Sequence, residues 1–285
     1  VAAQIVVGVN GSASDAAAVD WAADDAARRD AHLKIVHVHE PWSYEFPLKP
    51  APGSRDSHTS YWRSALAAAA KRVRTRTPGT DVSVALITGA VTERLTTESE
   101  HADELVLGGE GRGGLAALLL GSVGRAVTCR AHAPVVVVRR PRATAHDRVV
   151  VGFDGSPASE AALAYAADQA LRRGASLRVI HVRSPLRRAS APQVAETLRE
   201  RLEAWRAAHP GLRITARSLR GHPALTLIQA SHHGDLLVIG THTKTGHAHL
   251  GSVAHHVLHR SDCPVAVIHP GHGPGTAGGG EPGQA

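Results

Sequence analysis

What this chain of 285 residues lacks narrows its chemistry first. It has only two cysteines, Cys129 and Cys263, too few and too far apart for a zinc pattern or a disulfide framework. Both sit beside apolar runs and are expected as small buried thiols. Its 20 histidines follow no zinc spacing, including His242, His247 and His249, so no metal site is expected. Aromatic residues are 3%, which leaves few platforms for stacking a single strand of nucleic acid. The net charge of +7 would attract a polyanion, yet its basic residues are scattered along helical segments, as at Lys71, Arg72, Arg74 and Arg76. They read as solvated faces, and nucleic acid is not expected as a partner. No apolar run approaches the roughly 20 residues of a membrane helix, so no membrane association is expected. No basic segment followed by an apolar one opens the chain, so no signal peptide is expected and the cytoplasm is the expected compartment. There is also no G-x-x-x-x-G-K-[ST], which excludes a Walker phosphate loop.

What is present is a repeat. Val6-Val-Gly-Val-Asn-Gly-Ser12 returns as Val150-Val-Gly-Phe-Asp-Gly-Ser156, and the match runs without a gap to Val38 and Val182 with nearly half of the positions unchanged. Further on, Leu105-Val-Leu-Gly108 returns as Leu237-Val-Ile-Gly240, Gly121-Ser-Val123 as Gly251-Ser-Val253, and Pro134-Val-Val-Val137 as Pro264-Val-Ala-Val267. A period this long marks a duplicated domain rather than a solenoid. The expected organisation is one domain over 1–141, a linker at 142–147, a second domain over 148–270 and a disordered tail at 271–285.

Within copy one, β-branched apolar runs near 4–9, 33–38, 82–87, 104–108 and 134–139 alternate with helical segments near 13–29, 58–76, 91–100 and 122–131. Copy two has strands near 148–153, 177–182, 213–219, 236–240 and 264–269. Alternating β and α with continuously apolar strands predicts an α/β fold: two open five-stranded parallel sheets with helices on both faces. Ser156-Pro157 reads as an N-cap followed by proline at the first helical position, and Ser12 fills the same place in copy one.

The stretch from Leu105 to Val123 carries the chemistry. A short apolar strand breaks into Gly108, Gly109, Gly111, Gly113 and Gly114, then reaches Gly121, Ser122 and Val123, where a helix begins. Glycines permit close approach of a ligand to backbone, and the unpaired N–H groups of a helix N-terminus favour phosphate. Residues 109–114 also fit G-x-G-x-x-G, but they follow the fourth strand and open no helix, so a dinucleotide site is discounted. In an open parallel sheet ligands sit outside the carboxyl ends of the strands where their order reverses. If strands 1 and 4 are adjacent at that point, Gly8, Asn10, Gly11 and Ser12 after strand 1 line the same crevice, with Val38 at the end of strand 2 placed to receive an adenine through its backbone.

Three features together resemble the universal stress protein family in its tandem two-domain form: Val-Gly-x-Asp/Asn-Gly-Ser, G-x2-G-x9-G-[ST] and the closing Pro-Val-x-Val. The resemblance covers 4–139 and 148–269. It implies strand order 3-2-1-4-5 in each copy, an ATP site in the strand 1/strand 4 crevice with or without Mg²⁺, and pairing of domains through strand 5, with a homodimer beyond that. Carried over residue by residue, Gly108, Gly111 and Arg112 meet the phosphates, flanked by Glu110, while Gly121, Ser122 and Val123 supply N–H groups. Copy one has Asn10 at the family's usual aspartate. Copy two keeps it as Asp154, beside Gly152 and Val182, but its loop from Gly240 to Gly251, Ser252 and Val253 has Thr243 at the second glycine and is shorter than Gly108 to Gly121. Copy one is expected to bind ATP better. The implied role is a nucleotide-dependent regulatory module in stress response, acting on a protein partner that the sequence leaves unspecified. The alternatives are a slow ATPase or phosphotransferase, with Glu110 orienting water and Arg112 stabilising charge, or a nucleotide-free scaffold. No lysine and no carboxylate but Glu110 lies near the phosphate loop, so an enzyme is not expected beyond slow hydrolysis.

Overall fold

Runs of valine, isoleucine and leucine form the strands, and alanine-rich segments form the helices between them. The computed structural model describes residues 2–12, 14–40, 54–109, 120–139, 144–183, 191–241 and 250–270. Copy one comprises β1 (Gln4–Gly8), α1 (Asp15–Arg29), β2 (His32–His39), α2 (Ser54–Arg76), β3 (Val82–Thr88), α3 (Val91–Glu100), β4 (Glu104–Gly108), α4 (Ser122–Arg130) and β5 (Val135–Val138). Copy two comprises β6 (Arg148–Phe153), α5 (Pro157–Arg173), β7 (Ser176–Arg183), α6 (Ala191–Ala208), β8 (Ile214–Arg220), α7 (Pro223–Ser231), β9 (Leu236–Gly240), α8 (Ser252–Arg260) and β10 (Val265–Ile268). These ends fall close to the expected ones, except that α2 begins at Ser54. The tail at 271–285 lies outside the described residues.

The strands form one sheet in the order β3-β2-β1-β4-β5-β10-β9-β6-β7-β8. Each half has the order 3-2-1-4-5, and the two five-stranded sheets expected from the sequence are joined into one through their fifth strands, the pairing the resemblance implies. β5 and β10 pair antiparallel, with Val137 opposite Val265 and Val135 opposite Val267. The cause is that both fifth strands are buried throughout, and an apolar edge with unpaired backbone groups is stable only when covered. Helices α1, α2, α5 and α6 cover one face and α3, α4, α7 and α8 the other. Among the described residues no helix is long and apolar enough to cross a membrane. Cys129 and Cys263 are buried and not joined in a disulfide.

The helix starts differ between the copies. In copy two the Ser156 hydroxyl accepts the Ser159 N–H at 3.2 Å, with Pro157 at the first turn, as the sequence predicts. In copy one the expected Ser12 cap is replaced. α1 begins at Asp15, and the Ser12 hydroxyl instead donates to Asp15 Oδ1 at 3.2 Å. An aspartate where copy two has Ser159 offers a stronger acceptor, and the turn folds around it.

α1 and α5 meet across the junction of the two halves around a buried polar cluster. Asp25, Glu104 and Gln169 are fully buried. Arg29 donates to Asp25 Oδ2 and Glu104 Oε2, both at 2.7 Å. Arg173 donates to Asp25 Oδ1 at 2.8 Å, Gln169 to Asp25 Oδ2 at 3.1 Å, and the Tyr165 hydroxyl to Glu104 Oε2 at 2.6 Å. Burial raises the Asp25 carboxyl, but Arg29, Arg173 and Gln169 outweigh it and leave it below the usual range. Burial and the Asp25 charge push Glu104 up to about 7, against the pull of Arg29, Tyr165 and Arg173. The Glu104 Oε1 atom is buried without a hydrogen-bond partner, a position that suits a carboxyl keeping its proton.

The folded chain therefore holds a proton that an unfolded glutamate sheds in the ordinary carboxylate range. Between that range and about pH 7 the folded state binds more protons, so stability falls as pH rises through this window, by no more than about 1.4 kcal/mol per pH unit. Asp25 acts oppositely, contributing stability that is lost only in stronger acid. Thermal melts of the wild type and Glu104→Gln across this window should show the decline in the former and a flatter profile in the latter. Parallel profiles would exclude Glu104 as the group responsible.

Candidate functional site

β1 lies between β2 and β4, so the chain leaves its neighbours in opposite directions there, and a crevice opens beyond their carboxyl ends. Its volume is about 270 Å³. Gly8, Val9 and Asn10 line one side, Val36, His37 and Val38 another, and Leu107 and Gly108 the floor toward β4. Val91 and Leu95 of α3 and the start of α4 from Gly121 to Gly124 complete it. Of the residues singled out from sequence, Gly8, Asn10, Val38, Gly108, Gly121, Ser122 and Val123 are brought together here. Gly11 and Ser12 form the adjoining turn. Gly109 continues from β4, its N–H donating to the Val138 carbonyl at 2.8 Å. Glu110, Gly111, Arg112, Gly113 and Gly114 lie outside the described residues.

The glycines are required by neighbours. A Cβ on Gly8 would come within 3.0 Å of Leu107 Cδ2, and one on Gly108 within 2.5 Å of Ser14 Oγ. Gly11 has φ of +81° and would press a Cβ to 2.8 Å from the Trp62 ring. Trp62 is buried and stacks on His37 with ring centroids 3.4 Å apart and an interplanar angle of 15°. His37 Nδ1 donates to the Val9 carbonyl at 2.8 Å. The stack fixes both the end of β2 and the turn after β1, so the crevice wall is preorganised. Sequence reasoning passed over His37, although its return as His181 was a usable signal. Leu95 and Val91 were hidden because α3 reads only as an amphipathic helix.

The turn is closed by its own side chains. The Asp15 carboxylate accepts the N–H groups of Asn10 at 3.0 Å and Gly11 at 2.7 Å. Burial pushes its carboxyl up, while the hydrogen bonds from Gly11, Asn10 and Ser12 restrain it. The Asn10 carboxamide oxygen accepts the Ser12 N–H at 2.9 Å, and in copy two Asp154 accepts the Ser156 N–H at 3.1 Å. Asn10 and Asp154 thus make the same turn. α4 starts at Gly121 without a side-chain cap, so the positive end of the helix opens onto the crevice.

Copy two repeats part of this. Gly251 has φ −59° and ψ 158°, against −57° and 160° for Gly121, so Ser252 and Val253 begin α8 as Ser122 and Val123 begin α4. Gly152 is the next-to-last residue of β6 and Gly240 ends β9, and Asp154 and Val182 hold the places of Asn10 and Val38. The padding differs, because Val194, not a tryptophan, packs against Gly155. Burial lowers the His181 imidazole, with Arg183 adding to the shift and Asp154 opposing it. Thr243 and the loop histidines 242, 247 and 249 lie outside the described residues. Among the described residues no group of three or more histidine, cysteine or acidic side chains could hold a metal ion.

The model of the universal stress protein family matches residues 3–139 and again 146–269. The chain belongs to the universal stress protein family. It is 34% identical to a universal stress protein of Mycolicibacterium smegmatis over 93% of this chain and 97% of that protein, and the double match of the family model agrees with a tandem two-domain form. The crystal structure of a universal stress protein from Archaeoglobus fulgidus has the same fold, with a TM-score of 0.75 at 19% identity over 94% of this chain and 96% of its own. A universal stress protein solved in complex with cAMP matches 48% of this chain and 95% of its own, at 30% identity and a TM-score of 0.36.

The two strand-end glycines of this family member differ in what confines them. A Cβ on Gly240 would overlap the Ala158 carbonyl and come within 2.8 Å of the Ser159 nitrogen, both backbone, whereas Gly108 meets a serine side chain able to rotate. Gly108→Ala should cost about 1–3 kcal/mol and Gly240→Ala more than about 3 kcal/mol. Urea unfolding measures both, and equal costs would contradict the difference in packing.

Proposed function

We propose that copy one binds ATP in the crevice between β1, β2 and β4 and that the protein acts in the cytoplasm as a nucleotide-dependent regulatory module of the stress response. One observation carries this reading: the uncapped N-terminus of α4, at Gly121, faces a glycine-floored crevice at the point where strand order reverses. Val38 offers backbone groups to a base, Asn10 a carboxamide edge to a ribose, and the start of α4 N–H groups to phosphate. A divalent cation would meet one carboxylate among the described residues of this turn, Asp15, whose Oδ2 already accepts two N–H groups. Any Mg²⁺ therefore travels with the phosphates rather than in a protein cage. The fifth strands are used up within the chain, so a homodimer would be built from other surfaces.

Nucleotide released on denaturing freshly purified protein identifies the ligand, and titration counts the sites. One site is expected, abolished by Gly121→Asp, which puts a negative charge at the helix N-terminus, and retained in Gly251→Asp. The reverse pattern would move the site to copy two, and no binding in the wild type would leave a scaffold. Single-turnover incubation should leave the bound ATP intact, whereas hydrolysis lost in Glu110→Gln would make the protein an ATPase.

A further inference from the structure

The nucleotide crevice lies at the carboxyl ends of the strands, but the two copies also differ at the opposite end of the sheet. In copy one, Lys34 of β2 reaches across to α3 and pairs with Glu98 at 2.6 Å. The equivalent of Lys34 is Arg178 of β7, which follows from the ungapped repeat. The equivalent of Glu98 is Ala230. Ser99 and Ser231, the residues that follow them, play one structural role, their hydroxyls accepting the N–H groups of His132 and Asp262 respectively. Copy two has therefore kept the cation and lost its carboxylate.

It has also gained cations beside it. Arg178 pairs in register with Val150 and Thr215. Arg148 lies two residues before Val150, and Arg217 two residues after Thr215, so with side chains alternating across a strand all three arginines share one face. Arg148 donates to the His233 carbonyl at 3.2 Å. Arg178 Nε is buried without a hydrogen-bond partner, and among the described residues neither Arg178 nor exposed Arg217 has a carboxylate partner. A guanidinium so placed has lost water at one donor and gained nothing in exchange. Burial, then the charges of Arg148 and Arg217, depress the Arg178 guanidinium, which is the repulsion an anion would relieve.

We propose that Arg148, Arg178 and Arg217 form a second anion site, on one face of β6, β7 and β8 where β8 is exposed, that takes a small, multiply charged phosphate compound. Three guanidinium groups set diagonally across one face of three adjacent strands suit an anion with several oxygens, each able to accept more than one donor. Copy one cannot form this site, because Glu98 fills it and Ala85 stands in the register position of Arg217.

Inorganic pyrophosphate is the probe, titrated calorimetrically into the full chain in the wild type and in a Gly121→Asp background that silences the nucleotide crevice. Binding is expected in both. It should weaken at least tenfold in Arg217→Ala, whose exposed side chain can be removed without disturbing the core. It should be abolished in Ala230→Glu, which restores the ion pair of copy one, and unchanged in Lys34→Ala. No binding in the wild type, or full binding in Ala230→Glu, would overturn the proposal. Binding lost in Gly121→Asp but kept in Arg217→Ala would assign the pyrophosphate to the nucleotide crevice and equally overturn it. Because these outcomes do not depend on ATP binding to copy one, failure of either reading leaves the other standing.

Discussion

The antiparallel pairing of β5 with β10 is the contact on which the rest of the molecule depends. Each half ends in four consecutive buried residues, and neither strand could face water. Joining them turns two half-open sheets into one ten-stranded sheet whose edges are β3 and β8. It also fixes which helices meet. With β5 against β10, α1 and α5 lie side by side on one face, and β4, whose end floors the crevice, comes within reach of α5 through Glu104.

The junction shows what the duplication has been used for. Asp25 corresponds to Gln169, Arg29 to Arg173, Trp21 to Tyr165 and Glu104 to Leu236. Two identical copies would set Asp25 against a second Asp25 in a buried place, where like charges are costly. Replacing one member by Gln169 turns that repulsion into a hydrogen bond of 3.1 Å. Tyr165 supplies a hydroxyl to Glu104, which has no acidic counterpart in copy two. The same divergence runs outward to the binding turns, with Asp15 against Ser159, and to the lower face, with Glu98 against Ala230.

Most of the architecture was legible in the sequence because strand runs and helix caps are local signals. Val135–Val138 and Val265–Ile268 announced their burial, and Ser156-Pro157 its helix start. The union of the sheets was readable only as an expectation about edges, since nothing in a single strand names its partner. The site was legible where glycine carries it, at Gly8, Gly108 and Gly121. It was illegible where a distant element supplies the wall, as with Trp62 on His37, because a contact between α2 and β2 leaves no spacing in the chain. Asp15 was missed for another reason: a carboxylate just after Asn-Gly-Ser reads as an ordinary first-turn acid, and only the folded turn shows it accepting two backbone N–H groups.

The seam between β5 and β10 joins parts of a single polypeptide connected by a short linker. Its closure is unimolecular, so dilution does not open it as it would an assembly of separate subunits. Each side of the seam also occurs once per molecule. A substitution such as Gln169 or Ala230 therefore changes one half alone, where in a pair of identical subunits it would be imposed on both. Covalent linkage has in this way freed the two copies to differ, as Asp15 against Ser159 and the Lys34–Glu98 pair against Arg178 and Ala230 show, an asymmetry that a pair of identical subunits could not reach.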